Sequence, residues 1–265
     1  MALAGLLLIN PHAGNASPSP EEVAGEAHAR GIDARLLAEG ERAADVARAA
    51  TADVLGIAGG DGSLAPVAQV ALERNLPFVC VPFGTRNHFA RDLGLRVDDP
   101  VGALAAFEGV ERRIDVGRAD SRLFLNNVSL GLYARLVHRR ERHRRRREAF
   151  ARLRAWVIVV THREPLGITI DGRPTETRLV LVANNAYDTN LPTIGRRDRL
   201  DEGLLHLYAA GVEPGERVAE RFVVDAKVGR LEAAIDGEPD VLATPVEFRI
   251  EPRVLRVLVP MRERG

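Results

Sequence analysis

Three short loops contain the residue types that bind phosphate groups in proteins. They are Asn10-Pro-His-Ala-Gly14, Gly59-Gly-Asp-Gly-Ser63 and Gly84-Thr-Arg-Asn87, and each follows a predicted buried strand. Glycine lets backbone N–H groups approach an anion without obstruction by a Cβ atom, and hydroxyl and amide side chains add further donors. One such loop is equally well explained by a turn that needs glycine. Three of them at one edge of a sheet predict a binding site for a phosphorylated ligand.

Three acidic residues are candidates for catalysis. Asp61 lies in the second loop, where a carboxylate would repel phosphate unless it holds Mg²⁺ or orients an attacking hydroxyl group. Asp236-Gly237 is a dipeptide typical of a hairpin turn, but Glu238 adds a second carboxylate that a plain turn does not require. A further carboxylate, Asp92, is expected either to orient the third loop or to cap a helix.

The elements that must position these loops follow from the hydrophobic pattern of the first 117 residues. Strands are predicted at residues 4–9, 32–37, 54–58 and 78–81, with helices between them. Ser19 and Pro20 are typical of a helix start. This alternation predicts an α/β fold with a parallel, doubly wound sheet.

The pattern changes beyond residue 117, and the chain is divided into domains at 1–117 and 118–265. Strands are predicted at 124–128, 167–170, 177–183, 204–209, 232–235, 245–250 and 254–259, and one long helix at 135–160. Asp171-Gly172 and Asp236-Gly237 are both expected to be hairpin turns. The C-terminal domain is therefore predicted to be antiparallel and β-sandwich-like.

Composition excludes several classes of protein. The single cysteine, Cys80, excludes an intramolecular disulfide framework and a cysteine-based zinc cluster. The 37 basic residues are all Arg except Lys227, so the chain has no lysine-containing P-loop. No apolar run approaches the roughly 20 residues of a membrane span, and the N-terminus does not resemble a signal peptide. A cytoplasmic location is expected, peripheral at the inner membrane surface if the chain contacts lipid.

Charge is unevenly distributed although Lys+Arg and Asp+Glu both total 37. Ten Arg lie between residues 135 and 154 against two Glu, and the densest run extends from Arg139 to Arg147. This run is either a solvated helix face or a contact with an anionic membrane. It lacks the interleaved aromatic residues of a nucleic-acid surface, so no nucleic-acid partner is expected.

Several motifs, in order along the chain, resemble the diacylglycerol kinase catalytic-domain family, part of the superfamily that includes NAD kinases and sphingosine kinases. They are N-P-x-A-G, G-G-D-G-S, P-F-G-T-R-N-H-F-A-R-D-L-G, F-L-N-N-V-S-L-G, L-D-E-G-L-L and I-D-G-E. The resemblance implies an ATP- and Mg²⁺-dependent kinase that phosphorylates the hydroxyl group of a lipid alcohol, with diacylglycerol as the default. It also implies a homodimer.

The resemblance further implies roles for individual residues. Asp236 would be the general base, with Glu238 beside it and Asp61 also in the catalytic set. The nucleotide-binding residues would be Asn10, Gly59, Gly60, Asp61, Gly62, Ser63, Gly84, Thr85 and Asn87, with residues as far as Ala65 near the phosphates. A structural Mg²⁺ would be held by Glu202 and by the backbone carbonyls of Arg199 and Leu204.

Three positions depart from the family pattern: Ser63 stands for Thr, Ala38 for a nucleotide-contacting Thr, and Glu202 for Asp. Two other enzymatic functions stay open: an NAD kinase, which shares the G-G-D-G turn, and a kinase of a soluble alcohol. The non-enzymatic alternative is a regulatory nucleotide-binding protein, and a membrane-recruited scaffold would depend on the arginine run alone.

Overall fold

The structure, a computed structural model, describes residues 4–13, 18–131, 165–188, 195–211 and 215–261. The chain forms two compact units. The first contains Met1–Val116, Tyr187–Glu202 and Pro252–Gly265, and the second contains Gly117–Ala186 and Gly203–Glu251. The chain thus returns twice to the first unit, whereas the sequence predicted two consecutive domains; the boundary at residues 117 and 118 stays a prediction.

The described α-helices are α1 (Pro20–Ala29), α2 (Ala43–Ala49), α3 (Asp61–Glu73), α4 (His88–Asp92) and α5 (Pro100–Ala103). The described strands are β1 (Gly5–Ile9), β2 (Asp33–Leu36), β3 (Val54–Gly59), β4 (Phe78–Pro82), β5 (Val110–Ala119), β6 (Arg122–Phe124), β7 (Asn127–Gly131), β8 (Ile168–Ile170), β9 (Arg173–Thr175), β10 (Thr177–Asn184), β11 (Leu205–Gly211), β12 (Gly215–Ala219), β13 (Arg221–Ala226), β14 (Arg230–Ile235), β15 (Glu238–Ala243) and β16 (Val246–Val259). A 3₁₀-helix covers Leu104–Glu108.

The first unit is built on a parallel sheet with the strand order β2-β1-β3-β4. The three pairs of neighbouring strands are all parallel, and Val257 of β16 continues the sheet by pairing in parallel with Phe78. The central strands β1, β3 and β4 are buried along their whole length, which explains their continuous apolar sequences. The predicted α/β fold with a parallel sheet is confirmed.

The first helix shows how local sequence places an element of this unit. The Ser19 side chain accepts a hydrogen bond from the Glu22 N–H at 3.1 Å, and the Glu22 carboxylate accepts one from the Ser19 N–H at 2.6 Å. This reciprocal capping box, with Pro20 at the first helical position, fixes the start of α1.

The second unit is antiparallel. One sheet has six strands in the order β12-β11-β10-β7-β14-β15. In the other sheet, β13 pairs with the first half of β16 and with β8, which pairs with β9. Residues such as Val128, Val182 and Leu207 from the first sheet and Phe222 and Phe248 from the second share one buried core. The predicted sandwich-like second region is confirmed.

Three predicted strands of this region were wrong in their bounds. The strand predicted at 124–128 is interrupted at residues 125 and 126, between β6 and β7, because these backbone amides donate to a carboxylate instead of to a neighbouring strand. The strands predicted at 245–250 and 254–259 are one strand, β16. Arg253 adopts a φ of 55° within it and donates its N–H to Asp115 at 2.8 Å. The helix predicted at 135–160 lies outside the described residues.

Candidate active-site residues

The glycine loop of residues 59–63 joins a buried strand to a long helix. Gly60 caps α3, which begins at Asp61, so the first-turn N–H groups of α3 lie at the end of β3. A Cβ atom on Gly59 would lie 2.6 Å from the Ser63 Oγ, so any other residue there would force the Ser63 side chain to move. This is the strand–loop–helix geometry that favours an anion. Ala65 is buried within α3 and lines the core instead of the loop.

A second glycine loop follows β4 and closes on itself through Asn87. The Gly84 N–H donates to the Asn87 Oδ1 at 2.8 Å, and the Asn87 Nδ2 donates to the Gly84 carbonyl at 2.9 Å. Asn87 adopts a φ of 49°. Thr85 and Arg86 are exposed at the tip of this loop.

The two glycine loops lie in direct contact. A Cβ atom on Gly84 would come within 2.4 Å of the Gly60 Cα and 3.1 Å of the Gly60 nitrogen. The backbones therefore approach more closely than any side chain at position 84 permits.

The carboxylate of Asp61 connects the same two loops. Its Oδ2 accepts the His88 N–H at 3.1 Å, and its Oδ1 accepts the Phe89 N–H at 3.0 Å. Because these are first-turn amides of α4, Asp61 caps a helix that lies 27 residues further along the chain. Sequence reasoning considered only metal binding or hydroxyl orientation for Asp61 and missed this capping role.

Asn10 places the loop that follows β1 at the same edge. Its N–H donates to the Ala58 carbonyl at 3.0 Å, and its Oδ1 accepts the His12 N–H at 3.0 Å, which forms an Asx turn. Because β1, β3 and β4 are adjacent and parallel, their carboxyl ends bring the three loops to one edge of the sheet. The structure thus places at one edge of the sheet the loops that the sequence predicts to bind nucleotide, and that role stays a prediction.

Three further residues at the loop of residues 84–87 or in the helix that follows it carry positive charge or can do so. His88 is half-buried at the start of α4, and its Nδ1 contacts the Arg91 guanidinium. Burial lowers the pKa of His88, the nearby Arg91 and Arg86 also lower it, and Asp61 and Asp92 act in the opposite direction. Sequence reasoning treated His88 as structural and did not consider Arg86 or Arg91. The two arginines lie one residue before and four residues after Asn87, and this closeness to a predicted phosphate-binding loop could have indicated them.

Asp236 lies in the second unit at the turn between β14 and β15. Asp236 and Gly237 have φ values of 48° and 88°, which are typical of the two-residue hairpin turn predicted for this dipeptide. Asp236 is 7% exposed. Its Oδ2 accepts the Leu125 N–H at 2.8 Å, and its Oδ1 accepts those of Asn126 and Asn127 at 2.7 and 3.1 Å.

These three hydrogen bonds explain the interruption between β6 and β7, and they hold the carboxylate in one orientation. Glu238, on the other side of the turn, is exposed. Asp236 and Glu238 thus lie together in the second unit, whereas Asp61 and the glycine loops belong to the first.

The predicted metal ligands belong to both units: Arg199 and Glu202 to the first, and Leu204 to the second. Within the part of the chain that the structure describes, no three or more His, Cys, Asp or Glu side chains form a cluster suited to a metal ion. The adjacent Asp201 instead pairs with Arg199 at 3.2 Å and Arg253 at 3.3 Å. One carboxylate and two carbonyls are oxygen donors of the kind that Mg²⁺ prefers, and their role as ligands stays a prediction.

Known structures share this fold. A crystal structure of a diacylglycerol kinase from Bacillus anthracis str. Sterne matches with a TM-score of 0.71, covering 98% of this chain and 98% of that chain at 20% identity. The chain therefore has the same fold as that structure.

The sequence comparisons are more specific for the first unit. Residues 4–119 match the family described as the diacylglycerol kinase catalytic domain. A Pseudomonas aeruginosa protein named "Probable lipid kinase YegS-like" is 36% identical over 108 residues, which are 40% of this chain and 33% of that protein. A diacylglycerol kinase of Mycobacterium tuberculosis is 30% identical over 192 residues, 70% of this chain and 56% of that protein.

Residues 4–119 thus match the diacylglycerol kinase catalytic-domain family, and the resemblance predicted from the motifs is confirmed. The matched segments cover about a third to about half of those two relatives. In the described part of the chain, no helix has the length and apolarity needed to cross a membrane.

Substituting Gly84→Ala tests the contact between the two glycine loops. The added Cβ would overlap the Gly60 backbone, so the loops must separate, and we expect ATP to bind at least about tenfold more weakly. The matched control is Gly25→Ala in α1, where a Cβ meets nothing within 4 Å. Calorimetric titration with ATP and Mg²⁺ measures both, and equal affinity in the Gly84 variant and the wild type would contradict the prediction.

The lowered pKa of His88 predicts a pH-dependent stability. A histidine whose pKa is below its ordinary value of 6.5 in the folded state binds fewer protons there than in the unfolded chain, so stability falls as the pH drops below that value. Urea unfolding between about pH 7.5 and 5 should therefore show a smaller loss of stability for His88→Gln than for the wild type. Parallel curves for the two proteins would contradict this.

Proposed function

We propose that this protein is an ATP-dependent kinase that transfers the γ-phosphate to the hydroxyl group of a lipid alcohol, with diacylglycerol as the default acceptor. The observation that carries the proposal is the pair of glycine loops joined by Asp61, which lies within the segment that matches the diacylglycerol kinase catalytic domain. The names of the relatives support a lipid acceptor.

The proposed nucleotide site uses the edge of the parallel sheet. The first-turn amides of α3 and the loop of residues 59–63 bind the ATP phosphates, together with Gly84, Thr85 and Asn87, and Asn10 completes the edge. The helix N-terminus supplies partial positive charge, and Arg86 adds a full charge at the loop tip. Mg²⁺ bound with ATP would neutralise charge on the transferring phosphoryl group.

The hydroxyl group of the acceptor gives up its proton to Asp236 in this proposal, with Glu238 as the second carboxylate of the turn. Phosphoryl transfer depends mainly on positioning and electrostatic stabilisation, because its transition state is loose. The three backbone N–H groups that fix the Asp236 carboxylate support such a role, since they keep its orientation constant during the reaction.

We also propose that the protein lies at the cytoplasmic face of the membrane as a peripheral protein and that it forms a homodimer. The Arg139 to Arg147 run that would contact anionic lipid lies outside the described residues.

A transfer assay with Asp236→Asn tests this function. Wild-type protein with γ-labelled ATP and Mg²⁺ should label diacylglycerol in mixed micelles, with monoacylglycerol, sphingosine and soluble NAD as competing acceptors. The variant should lose about a hundredfold or more of the rate but still bind ATP, because the glycine loops belong to the other unit. The matched variant Glu238→Gln removes the exposed carboxylate of the same turn and shows whether transfer requires Glu238 as well as Asp236.

Each contrary outcome has a defined meaning. Labelled NAD without labelled lipid would overturn the substrate class. ATP binding without transfer to any acceptor would favour a regulatory nucleotide-binding protein. The Asn side chain leaves one backbone N–H without its acceptor, which costs about 1–3 kcal/mol, so the unfolding midpoint of the variant must be measured alongside.

A further inference from the structure

A buried ion pair in the first unit lies outside the roles assigned so far. The Arg197 Nε donates to the Asp92 Oδ2 at 2.8 Å, and the two side chains are 0% and 2% exposed. The guanidinium also lies over the Tyr187 ring, 5.8 Å from its centroid. Arg197 is 105 residues from its partner in the sequence, so the pair fixes a distant segment against α4.

Helix α4 depends on its neighbours for its position. It has only five residues, too few to form a stable helix alone, and its last residue, Asp92, places negative charge at the unfavourable end of the helix dipole. Arg197 offsets that charge at this end. At the other end, the Asp61 carboxylate accepts the His88 and Phe89 N–H groups.

The loop of residues 84–87 leads directly into this helix. Asn87, which closes the loop onto Gly84, is the residue that precedes α4. A shift of α4 therefore moves the loop relative to Gly60, where the backbones already touch. A buried ion pair adds little net stability compared with apolar side chains of the same size. Here the pair instead fixes the distance and direction between α4 and the segment that contains Arg197.

We infer that Arg197 is a positioning residue for nucleotide binding, which rests on the proposed function. Through Asp92 it sets the position of α4, and α4 sets the position of the loop that binds the ATP phosphates. The guanidinium is planar and lies over the Tyr187 ring, so its hydrogen-bond donors are held in one plane, whereas a lysine ammonium has no such plane. Arg197 does not itself contact the nucleotide in this arrangement.

The double variant Asp92→Asn/Arg197→Met separates positioning from stability. It removes both buried charges, so it avoids the large cost of leaving one charge unpaired. Because the amide introduced at position 92 has lost its guanidinium partner, the unfolding midpoint is measured alongside. We expect it to bind a non-hydrolysable ATP analogue with Mg²⁺ at least about tenfold more weakly. Amide exchange at residues 84–89 should also be faster than in the wild type without any nucleotide. The matched control is Arg196→Met, which changes the exposed neighbouring arginine.

The outcomes distinguish this role from the function on which it rests. A double variant with the wild-type midpoint and wild-type affinity would overturn the positioning role alone. A wild-type protein that binds no nucleotide would overturn the proposed function and this role with it. Should the double variant unfold, Arg197→Lys keeps the charge and must raise the KM for ATP while the KM for lipid stays constant; an unchanged KM for ATP would overturn the inference.

Discussion

The arrangement of the two glycine loops in the first unit depends on one carboxylate that accepts hydrogen bonds from two backbone N–H groups. Asp61 begins α3 directly after the first glycine loop, and its side chain caps α4 directly after the second. The two loops touch through glycine backbones that offer no side-chain packing of their own, so this bridge holds them in register. The predicted phosphate-binding groups of the two loops depend on it for their relative position.

The second unit uses the same interaction. The Asp236 carboxylate accepts three N–H groups of residues 125–127, and it ends one strand and starts the next. In each unit, an acidic residue that the sequence motifs predict to be catalytic also fixes the backbone around it through hydrogen bonds. Substituting such a residue changes charge and loop geometry together, which is why activity must be measured alongside folding and nucleotide binding.

Local sequence patterns were sufficient for much of the fold. The apolar runs of β1, β3 and β4, the capping box at Ser19 and the Asp-Gly turns are determined by neighbouring residues, and each was predicted near its observed place. The three loops of the candidate site followed from the same patterns, since parallel neighbours end at one edge.

Long-range polar contacts were not predictable in this way. The Asp61 partners lie 27 and 28 residues away, those of Asp236 about 110, and Asp92 pairs with Arg197 across 105 residues. Nothing in the spacing of single acidic residues indicates which distant amide or guanidinium they contact. The stretch from Phe124 to Val128 therefore looked like one strand, and its division into β6 and β7 was missed.

Residue-resolved amide exchange of the wild-type protein, with and without ATP and Mg²⁺, tests the central claim most directly. If the loops joined by Asp61 form the nucleotide site, ATP should slow amide exchange at residues 59–63 and 84–89. The exchange rates in the hairpin formed by β14 and β15 should stay unchanged. Exchange that stays the same at both loops in the presence of saturating ATP would contradict the account.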